Sequence, residues 1–458
     1  MIVAILTLVA ALGVMAQGAS TPPSPTCAEW HECQRLALDA YARGEYERFH
    51  DLAWRSVQTG PPRDPRLMYL LARAQSLSGR PHDALVMLGR LAEIGFVSDP
   101  ATNDDFRAVR QLRQWPELEA AIRAATIRLE QLARPIGTSG STASPPLSRR
   151  APASSRTSVT STRDAGNPPR GLAAPSRATE VLRIPLAPLS SSVLAYDRVS
   201  SRFILADAGQ RKLVIVDERS HHLVDLVTAL SAGFYEITAL EIDPLRGDLW
   251  VVSAEPARAT TNRPSATALH RLQLVSGRPL ERILVSDDML PARLGDVAVT
   301  PNGTVLVLDT LGHRILRLRP GTHELRAVAT LQVDATSLAP MDDRTVCVAH
   351  TAGMARVDIS TGAVEEVEGV GDMQLAGIEH FRWTGNSLVG MQRLADGTRQ
   401  AVRIRFASGH LAAMDTIETD IPVSDGRVFA VSGDELYFLV PLPSADGGEV
   451  VVRRTSLH

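Results

Sequence analysis

One unit repeats through the second half of this 458-residue chain: a short apolar strand, a turn, a second apolar strand and a polar end. Val193-Leu194-Ala195-Tyr196-Asp197 stands against Phe203-Ile204-Leu205-Ala206-Asp207, and Ala239-Leu240-Glu241-Ile242-Asp243 against Leu249-Trp250-Val251-Val252-Ser253. Asp296-Val297-Ala298-Val299 stands against Val305-Leu306-Val307-Leu308-Asp309, and Ser337-Leu338 against Val346-Cys347-Val348-Ala349-His350. Glu379-His380-Phe381 with Leu388-Val389-Gly390 and Arg427-Val428-Phe429 with Leu436-Tyr437-Phe438 complete the series. Runs of Val, Ile and Leu with period two, broken by Gly, Asp and Asn, read as antiparallel strands. One strand pair cannot bury its apolar face alone, so units 41 to 57 residues apart must pack on one another. Six of them predict a six-bladed β-propeller over residues 179–458. Closing the ring removes open sheet edges. Val181-Leu182-Arg183-Ile184-Pro185-Leu186, a spare strand, is expected to complete the last blade beside Val450-Val451-Val452-Arg453.

Upstream the apolar period changes to that of a helix. Leu36, Ala37, Ala40 and Tyr41 form one face, Phe49, Leu52 and Ala53 a second, and Leu67, Leu70, Leu71, Ala74 and Leu77 a third. The pattern Tyr41-x-x-Gly44-x-Tyr46-x-x-Phe49 aligns with Ser76-x-x-Gly79-x-Pro81-x-x-Ala84 at an offset of 35 residues, repeating a turn glycine between two helices. A third pair is expected in Asp105-Phe106-Arg107-Ala108-Val109 and Leu118 to Leu132, acting as a cap. This region, residues 17–134, resembles tetratricopeptide repeats, whose period is about 34 residues. The chain is thus read as multidomain, an all-α helical-repeat domain followed by an all-β six-bladed propeller.

Two segments belong to neither part. The apolar run Ile2 to Met15 ends in Val14-Met15-Ala16, which suits a signal-peptidase site, so residues 1–16 read as a signal peptide and the protein as exported, periplasmic or extracellular. Membrane contact is expected through that segment alone. Residues 135–178, rich in Ser, Thr, Pro, Gly, Ala and Arg, carry almost no aliphatic periodicity and read as a disordered linker. Cys27 and Cys33 lie too far apart to bridge within one helix and can pair only if Cys27 precedes it. Cys347, in an apolar run, reads as a small buried side chain.

Composition excludes several activities. With 48 Lys+Arg against 51 Asp+Glu there is no basic field for nucleic acid, and the single lysine, Lys212, rules out a phosphate-binding GxxxxGK[ST] loop. Neither a GxSxG elbow, a glycine-rich dinucleotide loop nor an HExxH zinc motif occurs. Asp207 and Asp309 read as turn-capping carboxylates, His221, His222 and His313 as turn residues, and His350 as a strand end that could face the channel.

Leu308-Asp309-Thr310-Leu311-Gly312-His313-Arg314-Ile315-Leu316-Arg317 resembles the NHL repeat, with a weaker copy in Ala206-Asp207-Ala208-Gly209-Gln210-Arg211-Lys212-Leu213. The resemblance implies a propeller similar to the group containing gluconolactonase-like and paraoxonase-type calcium hydrolases, which hold a cation in the central channel with oxygen ligands. At the corresponding inner-strand positions this chain offers Asp296 and Glu379 as metal ligands, with Ser337 and Arg427 in others and Val193 in the first. The reading is an exported two-module scaffold that binds a protein, peptide or other ligand, with no catalytic residues and no cofactor; the alternative is a calcium-dependent lactonase or ester hydrolase.

Overall fold

The computed structural model describes residues 27–133 and 177–457, apart from 97, 186–190, 219–220, 222, 244, 257–265, 408, 423–427 and 443–448. The signal segment, nearly all of the linker, residues 257–265 between the second and third strands of the second unit, His222 and Arg427 therefore lie outside the described residues.

Four helices form two antiparallel hairpins: α1 (Trp30–Ala42) with α2 (Tyr46–Thr59), and α3 (Pro65–Leu77) with α4 (Pro81–Glu93). The hairpins turn at Gly44 and Gly79, whose φ angles of 72° and 77° are left-handed values that a residue with a Cβ rarely adopts. Pro65 and Pro81 open their helices, where the missing N–H costs nothing, and Asp64 caps α3 by accepting from Arg66 N and Leu67 N. The expected third pair is a short turn, α5 (Arg107–Arg110), and a long helix, α6 (Trp115–Ala133), that packs on α4. Phe49, Leu52, Leu71, Met87, Leu88 and Phe106 fill the core between the helices. Cys27 precedes α1 and forms a disulfide with Cys33 inside it, the one arrangement the spacing allows.

From Thr179 onward the described chain builds six four-stranded antiparallel sheets. The inner strands are Ser191–Asp197, Glu236–Ile242, Leu294–Val299, Ala335–Pro340, Ile378–Thr384 and Phe429–Ser432, in blades 1 to 6. The inner strands of blades 1 to 5 pack on one another in turn and the first packs on the sixth, while blades 5 and 6 meet through the rings of His380 and Phe429. Closure follows the expected route: Thr179–Pro185 pairs antiparallel with the last strand, Glu449–Ser456, as the outermost strand of blade 6.

The helices dock on the propeller. Their core is continuous with Val193, Val199, Leu240, Leu249 and Leu274 of blades 1 and 2. The seat is the face where the inner strands end. Trp54 of α2 lies on Gly247 in the first turn of blade 2. Arg90 of α4 pairs with Asp217 at 2.6 Å, Arg63 donates to Ser201 Oγ and lies 3.7 Å from Glu218, and the backbone N–H of Ser276 donates to the buried carboxylate of Asp83. The two parts expected to be joined by a flexible tether therefore also share a packed interface.

Candidate functional site

The channel is organised by one irregularity repeated in the inner strands. In blades 1 to 5 the register against the second strand slips by one residue, between Ser191 and Val193, Ile237 and Ala239, Leu294 and Asp296, Ala335 and Ser337, and Ile378 and His380. A β-bulge adds one residue and turns the side chains after it to the other face. Where the bulge residue is Thr it reaches the next blade: Thr238 Oγ1 donates to Leu294 O and Thr336 Oγ1 to Ile378 O.

The bulge sets which residues share a level of the channel. Val193, Ala239, Asp296, Ser337 and His380 form one level; Ala195, Glu241, Ala298, Ala339 and Arg382, two residues on, form the next. Glu379 is the bulge residue of blade 5, so His380 stands at the level of Asp296.

Asp296 and Glu379, the two carboxylates singled out as metal ligands, are held by different partners. Glu379 forms a two-pronged pair with Arg399 of its own blade, at 2.7 and 3.0 Å. Asp296 is fully buried and both its oxygens are taken: Oδ1 accepts from Val297 N and Arg382 Nη2, Oδ2 from Ser337 Oγ, Leu338 N and Arg382 Nη1. Burial alone would raise its pKa, but Arg382, then His380 and the hydroxyl and amide donors, hold the carboxyl below its ordinary value. Neither carboxylate presents the free oxygens calcium requires. Among the described residues no group of three or more His, Cys, Asp and Glu is arranged to hold a metal ion.

The centre of the channel is instead crossed by Arg382. Its guanidinium reaches Asp296 in blade 3 and lies 3.0 Å from Glu241 in blade 2. Burial, reinforced by the charge of Asp296 and opposed by Arg382, pushes the Glu241 carboxyl up to about 7. Glu241 and Arg382 were not singled out in the sequence; the available signal was a charged residue two places after the first level in strands that are otherwise apolar there.

Above this pair a cavity of about 710 Å³ opens on the face that carries the helices. Its walls come from the inner strands of all six blades, including Val193, Leu240, Ala298, Ala339, His380 and Phe429, and Arg55 of α2 also lines it. The helical part thus helps to build the mouth of the channel.

The remaining residues have local roles. Asp309 accepts the backbone N–H groups of Arg293, Leu311 and Gly312 and pairs with Arg314, and Asp207 accepts from Gln210 N. Both cap turns. His313 and His221 occupy turn positions at φ 47° and 55°. His350 lies on a second strand and pairs with Glu366 on the outer strand of its blade, away from the channel. The Cys347 thiol is buried and pushed up to about 12. Lys212 is held by Asp225.

No family model matches the chain, and no curated protein is detectably similar in sequence. Many solved structures resemble the propeller. The allergen Mala s 1 of Malassezia sympodialis has 13% identity and a TM-score of 0.46, over 61% of this chain and 96% of that one. Virginiamycin B lyase of Staphylococcus aureus has 12% identity and a TM-score of 0.41, over 59% and 87%. The PQQ-bound aldose sugar dehydrogenase of Streptomyces coelicolor has 11% and 0.39, over 62% and 100%. The propeller assignment rests on the strand order itself.

Proposed function

We propose that this chain is a binding protein that acts without a metal and without catalysis, its helical and propeller parts forming one body around a ligand site at the channel mouth. The observation that carries the reading is Arg55: a side chain from the helical part lines the cavity that the six inner strands enclose. Pockets of a few hundred cubic ångströms, mainly apolar with a few placed polar groups, are where small ligands and single side chains of peptide partners bind. The two hairpins turning at Gly44 and Gly79 support a tetratricopeptide-like origin for the helical part. The Cys27–Cys33 disulfide supports export, because such bonds persist in oxidising compartments.

The calcium-dependent hydrolase is the competing reading, and Arg382 speaks against it because its cation already occupies the space between Asp296 and Glu241. Titrating calcium into the full-length chain separates the two. A metal-free binding protein gives no saturable heat and no rise in melting temperature up to millimolar calcium. Saturable binding that Asp296→Asn removes would replace this proposal with a lactone and ester hydrolase.

A further inference from the structure

The cavity at the channel mouth contains few charges, and they are unequally compensated. Its ionisable lining residues are Arg55, Tyr196, Glu241, His380 and Arg382, and the Tyr196 hydroxyl is neutral and donates to Glu218. Arg382 is matched twice over, by Glu241 and Asp296. Arg55 is half-buried, and its guanidinium has neither an ion pair nor a hydrogen bond among the described residues. A partly desolvated guanidinium facing a cavity gains most from an anion, which it can grip with two parallel N–H donors. The walls between Arg55 and the floor are largely apolar, from Val193, Leu240, Ala298, Ala339 and Phe429. At the floor, two carboxylates face one guanidinium. With the Glu241 carboxyl raised to about 7 by burial, that surplus is partial at neutral pH and grows above it, and it disfavours a second negative charge, so a dianion such as a phosphate monoester suits the site less than a monoanion does.

Resting on the reading of this cavity as the ligand site, we infer that its ligand is an organic carboxylate with an apolar body, the carboxylate gripped by Arg55 at the mouth and the body lying along the inner strands. The ligand could be a free acid or the chain terminus of a peptide; the recognised group is the same.

The test uses the full-length chain and three matched probe sets followed by calorimetry: 4-phenylbutyrate and decanoate, their neutral amides, and the corresponding amines, with phenyl phosphate as the dianion. The acids are expected to bind at least about tenfold more tightly than the amides, a difference of about 1.4 kcal/mol. Arg55→Gln should bring the acids down to the level of the amides, and Arg55→Lys should restore part of the preference. Because Arg55 has no partner among the described residues, both variants should melt with the wild type, and a melting scan checks this. Equal binding of acids and amides, a preference for the amines or the phosphate, or acid binding indifferent to Arg55→Gln, overturns the carboxylate inference and leaves the cavity as the ligand site. If no probe binds at millimolar concentration and decanoyl-capped or C-terminally free hexapeptides also fail, the inference falls together with the reading it rests on.

Discussion

Trp54 leaves no room for a side chain at Gly247. A Cβ built on that glycine would lie 2.8 to 2.9 Å from three atoms of the indole, and the residue holds a left-handed φ of 64°. The contact joins α2 to the first turn of blade 2, so the helical part is seated by shape at this point as well as by charge.

Gly247→Ala should therefore loosen the seat. The left-handed backbone costs about 1–2 kcal/mol for a residue with a Cβ, and the collision with Trp54 adds about 1–3 kcal/mol. Calorimetry should show a lowered melting temperature with the helical part uncoupling from the propeller. Trp54→Ala, which empties a buried site, should cost about 3–5 kcal/mol. An unchanged, single transition in Gly247→Ala would mean that the seat does not depend on this contact.

Removing Arg382 should be expensive in another way. In Arg382→Leu the fully buried Asp296 loses its cation, and stranding one partner of a buried pair costs about 3–5 kcal/mol. The urea midpoint should fall accordingly, and the double variant Arg382→Leu with Asp296→Asn should recover part of the loss.

The docking interface should respond to pH. Burial pushes the Asp83 carboxyl from 3.8 up to about 6, with Ser276 and Arg80 opposing. The folded state then holds that proton more tightly than the unfolded chain. Its contribution is fully present below pH 4, is lost as the pH rises through 6, and amounts to at most about 3 kcal/mol. Asp51, raised to about 6 chiefly by burial, acts in the same direction. His50 acts in the opposite one, since burial lowers it to about 3 and the unfolded chain takes up the proton first. The diagnostic quantity is thus a difference: relative to wild type, Asp83→Asn should gain stability between pH 4 and 7, measured by urea unfolding at each pH. A constant offset would show that Asp83 does not titrate in that range.

Cys347 should be silent toward alkylation. With no exposed surface and a thiol pushed up to about 12 by burial, it offers almost no thiolate at neutral pH. Iodoacetamide should modify it only after denaturant exceeds the unfolding midpoint; rapid modification of the native chain would contradict the burial.

The propeller was legible because each blade carries its own evidence: alternation over the strands, glycine and aspartate at the turns, and a spare strand at the start to match an incomplete last blade. The level of each inner-strand residue was not. Counting from the apolar runs places Glu379 beside Asp296, whereas the bulge inserts a residue and puts His380 there. A bulge is set by how strands curve around the ring, and no single residue in Ile378-Glu379-His380 announces it. Glu241 and Arg382 escaped for the same reason, because they become neighbours only once both bulges are counted. The docking had a faint signal in α2, where Phe49, Leu52, Ala53, Trp54 and Val57 spread apolar side chains over more than one face, and all five are buried in the fold. A helix that hides so much of its circumference must be covered on two sides, but the identity of the second cover depends on turns some two hundred residues away.

The last blade borrows its outer strand from residues 179–185 and takes the rest from 429–456. During synthesis the seat for the helices, in blades 1 and 2, is finished long before the ring can shut. The helical part can thus settle while the nascent propeller is still an open arc, and the strand Thr179–Pro185 must wait, unpaired, for Glu449–Ser456 to emerge. Any stop that removes Glu449–Ser456 leaves two exposed edges at once, one on each side of the gap. A stop ahead of Glu449 should therefore yield chains that aggregate through blade 6 while their helices are already docked.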